Sequence, residues 1–322
     1  MTIIQTRGLK KTYETRTKRK TTTVEAVRGV DLDVAEGEIF GFLGPNGAGK
    51  TSTLRMLSTL IPPDAGEATI AGADLRTQQA RVREAIGYIA QGGSTYDDAT
   101  AREELILQAR MHGISKAEAM RRATVALEAF QLTEYADRPC KTYSGGQRRR
   151  VDIALGIIHE PRVVFLDEPT SGLDPQSRAH MWDEVRRLRT EGMTVFLTTH
   201  YLEEADALCD RIAIIDGGEV VAEGTPEALK REISGDVVTV GVGEEFAEKA
   251  TEILAGQSYL TGPVETRDGG RVRLAVEAGE TAVPLVMRTL EEAGIATSTI
   301  EVHRPTLDDV FLTKTGRSLR ES

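Results

Sequence analysis

Gly44-Pro45-Asn46-Gly47-Ala48-Gly49-Lys50-Thr51, followed by Ser52, carries the spacing GxxxxGK(S/T). Glycines at that spacing let backbone N–H groups turn inward and cradle phosphate oxygens, and a helix starting there adds partial positive charge. Lys50 supplies a point charge for terminal phosphates, and Thr51 supplies a hydroxyl suited to Mg²⁺. A second segment, VVFLDE at 163–168, is an apolar run that ends in Asp167 and Glu168. Ligands of open α/β folds sit at the carboxyl ends of strands. Asp167 is therefore expected to hold Mg²⁺, and Glu168 to act as general base toward an attacking water. These two segments alone specify a nucleotide hydrolase or a kinase.

A third segment, Tyr143-Ser144-Gly145-Gly146-Gln147, opens the helical run RRRVDIALGIIHE. Ser144 and Gln147 fit a capping box. The two glycines behind the cap waste helix propensity, but they allow a close backbone approach to an anion at the helix start. Asp174 before Pro175 fits an N-cap with proline at the first helical position. Gln91 follows the strand-like IGYIA, and His200 ends the apolar run TVFLTTH.

With these residues in place, the chain resembles an ATP-binding cassette (ABC) ATPase. YSGGQ at 143–147 matches the family's LSGGQ-type signature, Gln91 its Q-loop, Ser171-Gly172-Leu173-Asp174 its D-loop and His200 its switch histidine. Tyr13 stands where the family stacks an aromatic on adenine. The landmarks cover roughly residues 3–230. The resemblance implies a head-to-tail dimer that sandwiches MgATP. Ser144 and Gly146, with Gly145, Gln147 and Asp174, would act on nucleotide held by the other copy. His200 would steady the γ-phosphate, and Gln91 would sense the metal and the partner. Within the family, KTYSGGQRRRVDIA, FLDEPTSGLDP, TTHYLEEADALCDRIAIID and RPTLDDVFLTKTG are similar to drug-export ATPases of the daunorubicin-resistance type. That implies an ATP-hydrolysing exporter subunit at the cytoplasmic face of the cell membrane, peripheral, and paired with a separate transmembrane permease. Gly92-Gly93 after the glutamine and the basic stretch 14–23 depart from the pattern and bear on the coupling surface.

The elements that must position these residues are legible too. EIFGFLG (38–44), VVFLDE and TVFLTTH are continuous apolar runs, as suits strands of a parallel sheet covered on both faces. IAIID (212–216), Gly217-Gly218 and EVVAEG (219–224) predict a hairpin, and Thr225-Pro226 the start of a short helix. Between 92 and 160 the spacing turns helical, with capping boxes expected at Thr100/Glu103 and Ser115/Glu118. The pattern predicts an α/β fold, and the resemblance implies a P-loop ABC nucleotide-binding domain, a RecA-like core over 1–235 with a helical subdomain at about 92–160. From 236 to 322 the order βαββαβ plus a terminal helix predicts a small α+β, ferredoxin-like domain. The polar, basic, threonine-rich residues 14–23 are expected to form a solvated loop between two strands.

Composition narrows the classes. Of 322 residues, 40% are hydrophobic and 28% charged, as in ordinary globular domains, and no apolar run approaches the ~18–20 residues of a membrane span. The N-terminus lacks the apolar stretch of a secretory signal, and two cysteines cannot make a disulfide framework. Acids outnumber bases 50 to 40 and aromatics are 5%, so nucleic acid is not an expected partner. A chromosome-structure ATPase needs long coiled coils between Thr51 and Ser144, where only the helical insert stands. A translation factor of this type needs two cassettes, and a small-molecule kinase leaves SGGQ and His200 unexplained. An importer ATPase or a non-transport ABC ATPase is the remaining alternative.

Overall fold

The computed structural model describes residues 1–17, 20–233 and 235–316. The chain divides into two compact units, one running to Pro226 and one from Glu227 on. The first unit begins with a long antiparallel hairpin, β1 (Thr2–Thr17) and β2 (Lys20–Ala35), then β3 (Ile39–Leu43) and α1 (Lys50–Leu57). Next come β4 (Ala65–Ile70), β5 (Ala73–Asp74), α2 (Gln79–Ala85) and β6 (Ile86–Ile89). The helical insert follows as α3 (Ala101–Met111), α4 (Lys116–Ala129) and α5 (Gly145–Ile157). The chain returns through β7 (Val163–Asp167), α6 (Pro175–Thr190), β8 (Thr194–Thr199), α7 (Leu202–Leu208), β9 (Arg211–Asp216) and β10 (Glu219–Gly224).

A six-stranded sheet in the order β10-β9-β3-β8-β7-β6 carries the chemistry. β3, β6, β7, β8 and β9 run parallel, and β10 pairs antiparallel to β9. Every residue of β3, β7 and β8 is buried, which is why these strands read as continuous apolar runs. Phe40, Phe42 and Phe165 gather around Phe196 with ring centroids 5.5–5.7 Å apart. A second sheet, β2-β1-β4-β5, shares that core through Ile4, Leu9, Val30 and Leu32.

The expected loop at 14–23 is instead part of the β1–β2 hairpin. The ladder continues through Glu14↔Thr23 and Thr15↔Thr22 to Thr17↔Lys20, with Lys18 and Arg19 outside the described residues. A charge run suggests solvent, but β-branched threonines at alternate and successive positions favour a pleated ribbon. In the insert, Thr100 and Glu103 form a reciprocal capping box, whereas Ser115 accepts the Glu118 amide without the return bond.

The second unit holds α8 (Pro226–Ile233) from Glu227 on, β11 (Asp236–Gly241), α9 (Ala247–Ala255), β12 (Leu260–Arg267), β13 (Arg271–Val276), α10 (Gly279–Glu292), β14 (Thr299–His303) and α11 (Leu307–Thr315). Its antiparallel sheet is ordered β12-β13-β11-β14, the ferredoxin-like arrangement expected of βαββαβ. Val238, Val240, Val272 and Leu274 pack with Leu254, Val286 and Leu290 of α9 and α10 in a core of its own. The last strand begins at Thr299. Gly294 turns at φ 71°, and the Ser298 amide donates to Gly241 O at 2.7 Å, so pairing starts at that register. No helix among the described residues is long and apolar enough to cross a membrane.

Candidate active site

The phosphate-loop candidates span the turn between β3 and α1. Gly47 and Gly49 adopt φ 80° and 106°, conformations that glycine alone takes cheaply. A Cβ on Gly49 would stand 2.3 Å from Ala26 O, and one on Gly44 2.3 Å from Ile215 O. The loop is therefore pressed between β2 and β9. Ala48 is buried and its amide donates to Pro45 O at 3.2 Å. α1 begins at Lys50 with Gly49 as its N-cap.

Lys50 is buried, and its Nζ donates to Gly44 O at 2.7 Å and to Pro45 O at 3.0 Å while pairing with Glu168 Oε1 at 3.3 Å. Burial pushes its pKa down, and the Glu168 carboxylate pulls it back up. Thr51 Oγ1 donates to Asp167 Oδ1 at 3.1 Å. The same oxygen accepts from Thr198 Oγ1 at 2.7 Å. These hard oxygen donors fit Mg²⁺, which takes a carboxylate and hydroxyls together with phosphate oxygens.

Glu168 is the hub. Its carboxylate meets Lys50, accepts from Gln91 Nε2 at 2.8 Å, and lies 3.2 Å from His200 Nδ1. That last contact is a close approach without a hydrogen bond, since Nδ1 is not aligned for one. The His200 ring first, and then Lys50, hold the Glu168 carboxyl below its ordinary range against the opposing effect of burial. The side chain is thus anionic at neutral pH, as a group that polarises water must be. Its backbone is in the left-handed region at φ 44°, pinned by its amide N–H, which donates to Thr198 Oγ1 at 3.0 Å. Non-glycine residues rarely sit there, and the strain is the cost of turning the carboxylate out of the strand line.

Tyr13, Asn46, Gly47, Gly49, Lys50, Thr51, Ser52, Gln91 and Glu168 line one cavity of about 350 Å³. Tyr13 Oη donates to Ser52 Oγ at 3.3 Å. Gln91, expected near the metal, directs its amide to Glu168. The signature residues lie elsewhere. Ser144, Gly146 and Gln147 line a separate cavity of about 270 Å³ with Ser177 and His180. Ser144 caps α5 in a reciprocal box with Gln147, at 3.2 and 2.9 Å. Gly145 and Asp174 are exposed, and Asp174 caps α6 by accepting the Ser177 amide at 2.9 Å. A Cβ on Gly146 would come 3.0 Å from Ser177 Oγ, so the signature glycine seats the α5 N-terminus against the first turn of α6.

Three residues that organise the site are not evident from motif spacing. Thr198 bonds both Asp167 and Glu168. Arg149 is buried and donates to the carbonyls of Ala90 at 2.6 Å, Pro169 at 3.0 Å and Asp167 at 3.4 Å. It ties the end of β6 to the end of β7. Asp152 accepts from the Ser94 amide at 2.8 Å and so anchors the segment after Gln91. Helical spacing within RRRVD, which turns Arg149 and Asp152 to one face, is the only trace of the latter two.

A family model described as ABC transporter matches residues 27–171. One described as the C-terminal domain of ATP-binding proteins like DrrA1-3 matches residues 224–315. The chain is 44% identical over 296 residues to the daunorubicin resistance ATP-binding protein DrrA3 of Streptomyces coeruleorubidus, covering 92% of this chain and 93% of that one. It is 40% identical over 314 residues to the daunorubicin/doxorubicin resistance ATP-binding protein DrrA of Streptomyces peucetius, covering 97% and 92%. Among solved structures, an ATP-binding cassette in a dimeric post-hydrolysis state with ADP and Pi aligns with a TM-score of 0.62 at 27% identity. That alignment covers 69% of this chain and 98% of the cassette.

Proposed function

The chain belongs to the ABC transporter ATP-binding proteins, and from that premise we propose that its ATP hydrolysis drives efflux of a drug or other hydrophobic compound through a separate membrane permease. As an ABC ATPase it is the ATP-hydrolysing subunit of an exporter. The observation that carries the mechanism is the meeting of Lys50, Gln91 and His200 on one Glu168 carboxylate at the edge of the phosphate-loop cavity.

In this reading Tyr13 stacks on adenine, and residues 44–52 wrap the phosphates. Lys50 exchanges its carbonyl contacts for terminal phosphate oxygens. Thr51 and Asp167 hold Mg²⁺, which when bound neutralises charge on those oxygens. Glu168 orients and polarises the attacking water, Gln91 reports on the same carboxylate, and His200 steadies the γ-phosphate. Most of the rate enhancement is positioning and electrostatics. Ser144, Gly145, Gly146, Gln147 and Asp174 act from a second, head-to-tail copy. Two features support that trans role: the signature cavity is separate from the phosphate-loop cavity, and Ser144 and Asp174 are exposed. We assign residues 1–235 to the ATPase domain, 236–322 to an accessory domain, and the dimer to the cytoplasmic face of the membrane.

The test is co-expression with the candidate permease in a drug-sensitive host, followed by efflux of a fluorescent anthracycline. Energy-dependent efflux that needs both chains and is lost in Glu168→Gln is the expected result. Efflux unchanged by that substitution would sink the proposal.

A further inference from the structure

Behind Glu168 and His200 lies a buried carboxyl that the mechanism above does not use. Glu204, on α7, is 0% exposed. Its Oε1 accepts from Thr170 Oγ1 at 2.8 Å and from Trp182 Nε1 at 3.2 Å, while Oε2 is buried without a partner. Burial pushes this carboxyl up, opposed by the neighbouring Thr199, Thr170 and Trp182 side chains. A carboxyl in such a place is costly unless its hydrogen bonds do something an apolar side chain could not.

Its donors come from the elements that carry the site. Thr170 lies in the turn from Glu168 to Asp174, where the Ser171 amide donates to Glu168 O and the Leu173 amide to Thr170 O, both at 3.2 Å. Trp182 is on α6, the helix that Asp174 caps. α7 starts just after His200, whose ring packs on Tyr201 with centroids 4.1 Å apart. The Arg178 guanidinium, also on α6, covers the Tyr201 ring at 4.7 Å. One carboxyl thus joins the turn after the base, the helix after the D-loop and the helix after the switch histidine.

We propose that Glu204 is a positioning residue for ATP hydrolysis: by tying the 168–174 turn and α6 to α7, it sets His200 and Asp174 relative to Glu168. The inference rests on the reading of Glu168 as the group that activates water. Glu204 is absent from the lining of the nucleotide cavity, so it bears on turnover and not on ATP capture.

The experiment is steady-state ATP hydrolysis by the full chain carrying Glu204→Ala, Glu204→Gln or Thr170→Val. Loss of turnover in Glu168→Gln against an active parent first shows that the underlying reading holds, so the two ideas fail separately. Glu204→Ala is expected to lower kcat by about 10–100-fold, the scale of a small misplacement of reacting groups, with KM for ATP at the parent value. Glu204→Gln keeps an acceptor for both donors and should restore most of kcat. Thr170→Val, nearly isosteric, should lower kcat in the same direction and decides the matter if the alanine variant does not fold. Trp182 is the only tryptophan of the chain, so its emission reads the same bond without turnover. It should shift in Glu204→Ala and stay in Glu204→Gln. Parent-like kcat in the folded alanine variant or in Thr170→Val would overturn the inference. So would a raised KM at unchanged kcat, or a glutamine variant as slow as alanine.

Discussion

Glu168 shows how much one residue carries. Replacing its carboxylate by the amide in Glu168→Gln preserves shape and removes the proposed base. Hydrolysis should fall by ~10²–10⁴-fold, the scale of general base catalysis, while MgATP binding survives. Stopped-time phosphate release alongside fluorescent-nucleotide titration separates the two, and near-normal turnover would contradict the role. Gly49 is the complementary case, a residue that works by lacking a side chain. Gly49→Ala puts a methyl 2.3 Å from Ala26 O at φ 106°. Strain of that kind costs about 1–3 kcal/mol, so ATP affinity should fall by roughly 5–150-fold. A titration showing parent affinity would mean the loop relaxes freely.

At the scale of elements, α3 and α5 are joined by a pair of histidines. His112 at the C-cap of α3 stacks on His159 with centroids 3.8 Å apart and planes within 5°. His159 Nε2 is 2.9 Å from Ile86 O, and Nδ1 is buried without a partner. Burial first, and the facing His112, push His159 down to about 4 from an ordinary 6.5. The sign follows from linkage. Between those values the unfolded chain binds a proton that the folded chain refuses, so stability is full above about pH 6.5 and is lost as pH falls toward 4. His159→Gln removes that difference. Its Tm should fall less than the parent's between pH 7 and pH 5; an equal fall in both would place the acid sensitivity elsewhere.

At the scale of the whole molecule, the two units own separate cores. The cluster around β1–β5 and the six-stranded sheet ends at Ile215 among its buried members, and the other begins at Val238. A chain stopped after Gly235 should therefore still bind nucleotide. If the accessory domain supports assembly, the same chain should lose co-purification with the permease, or lose transport at equal expression. Full transport would make it a passive extension. The proposed trans role of Ser144 and its neighbours has its own test. Mixing Lys50→Ala with Ser144→Arg places both lesions in one composite site of a head-to-tail heterodimer and leaves the other intact. Hydrolysis should return on mixing two inactive proteins. No recovery, in a background where one intact site is shown to turn over, would put the signature in cis.

Local residue chemistry determined the glycine-rich turn between β3 and α1, the carboxylates at the end of β7, the caps of α3, α5 and α6, and the βαββαβ order, because each is specified by a few neighbouring residues. Thr51 meets Asp167, and Ser144 bonds Gln147, as those types and spacings require. Charge alone misled at 14–23, where ladder pairing with the opposite strand overrode the solvated-loop expectation. What only the tertiary structure decided involves residues far apart in the chain. Gln91 lies on Glu168, Thr198 pins Glu168 in a left-handed backbone, Arg149 joins the ends of β6 and β7, and Glu204 sits at the junction of Thr170 and Trp182. Nothing in the local pattern marks such a polar residue, because its burial and its partners come into being only when separate elements pack together.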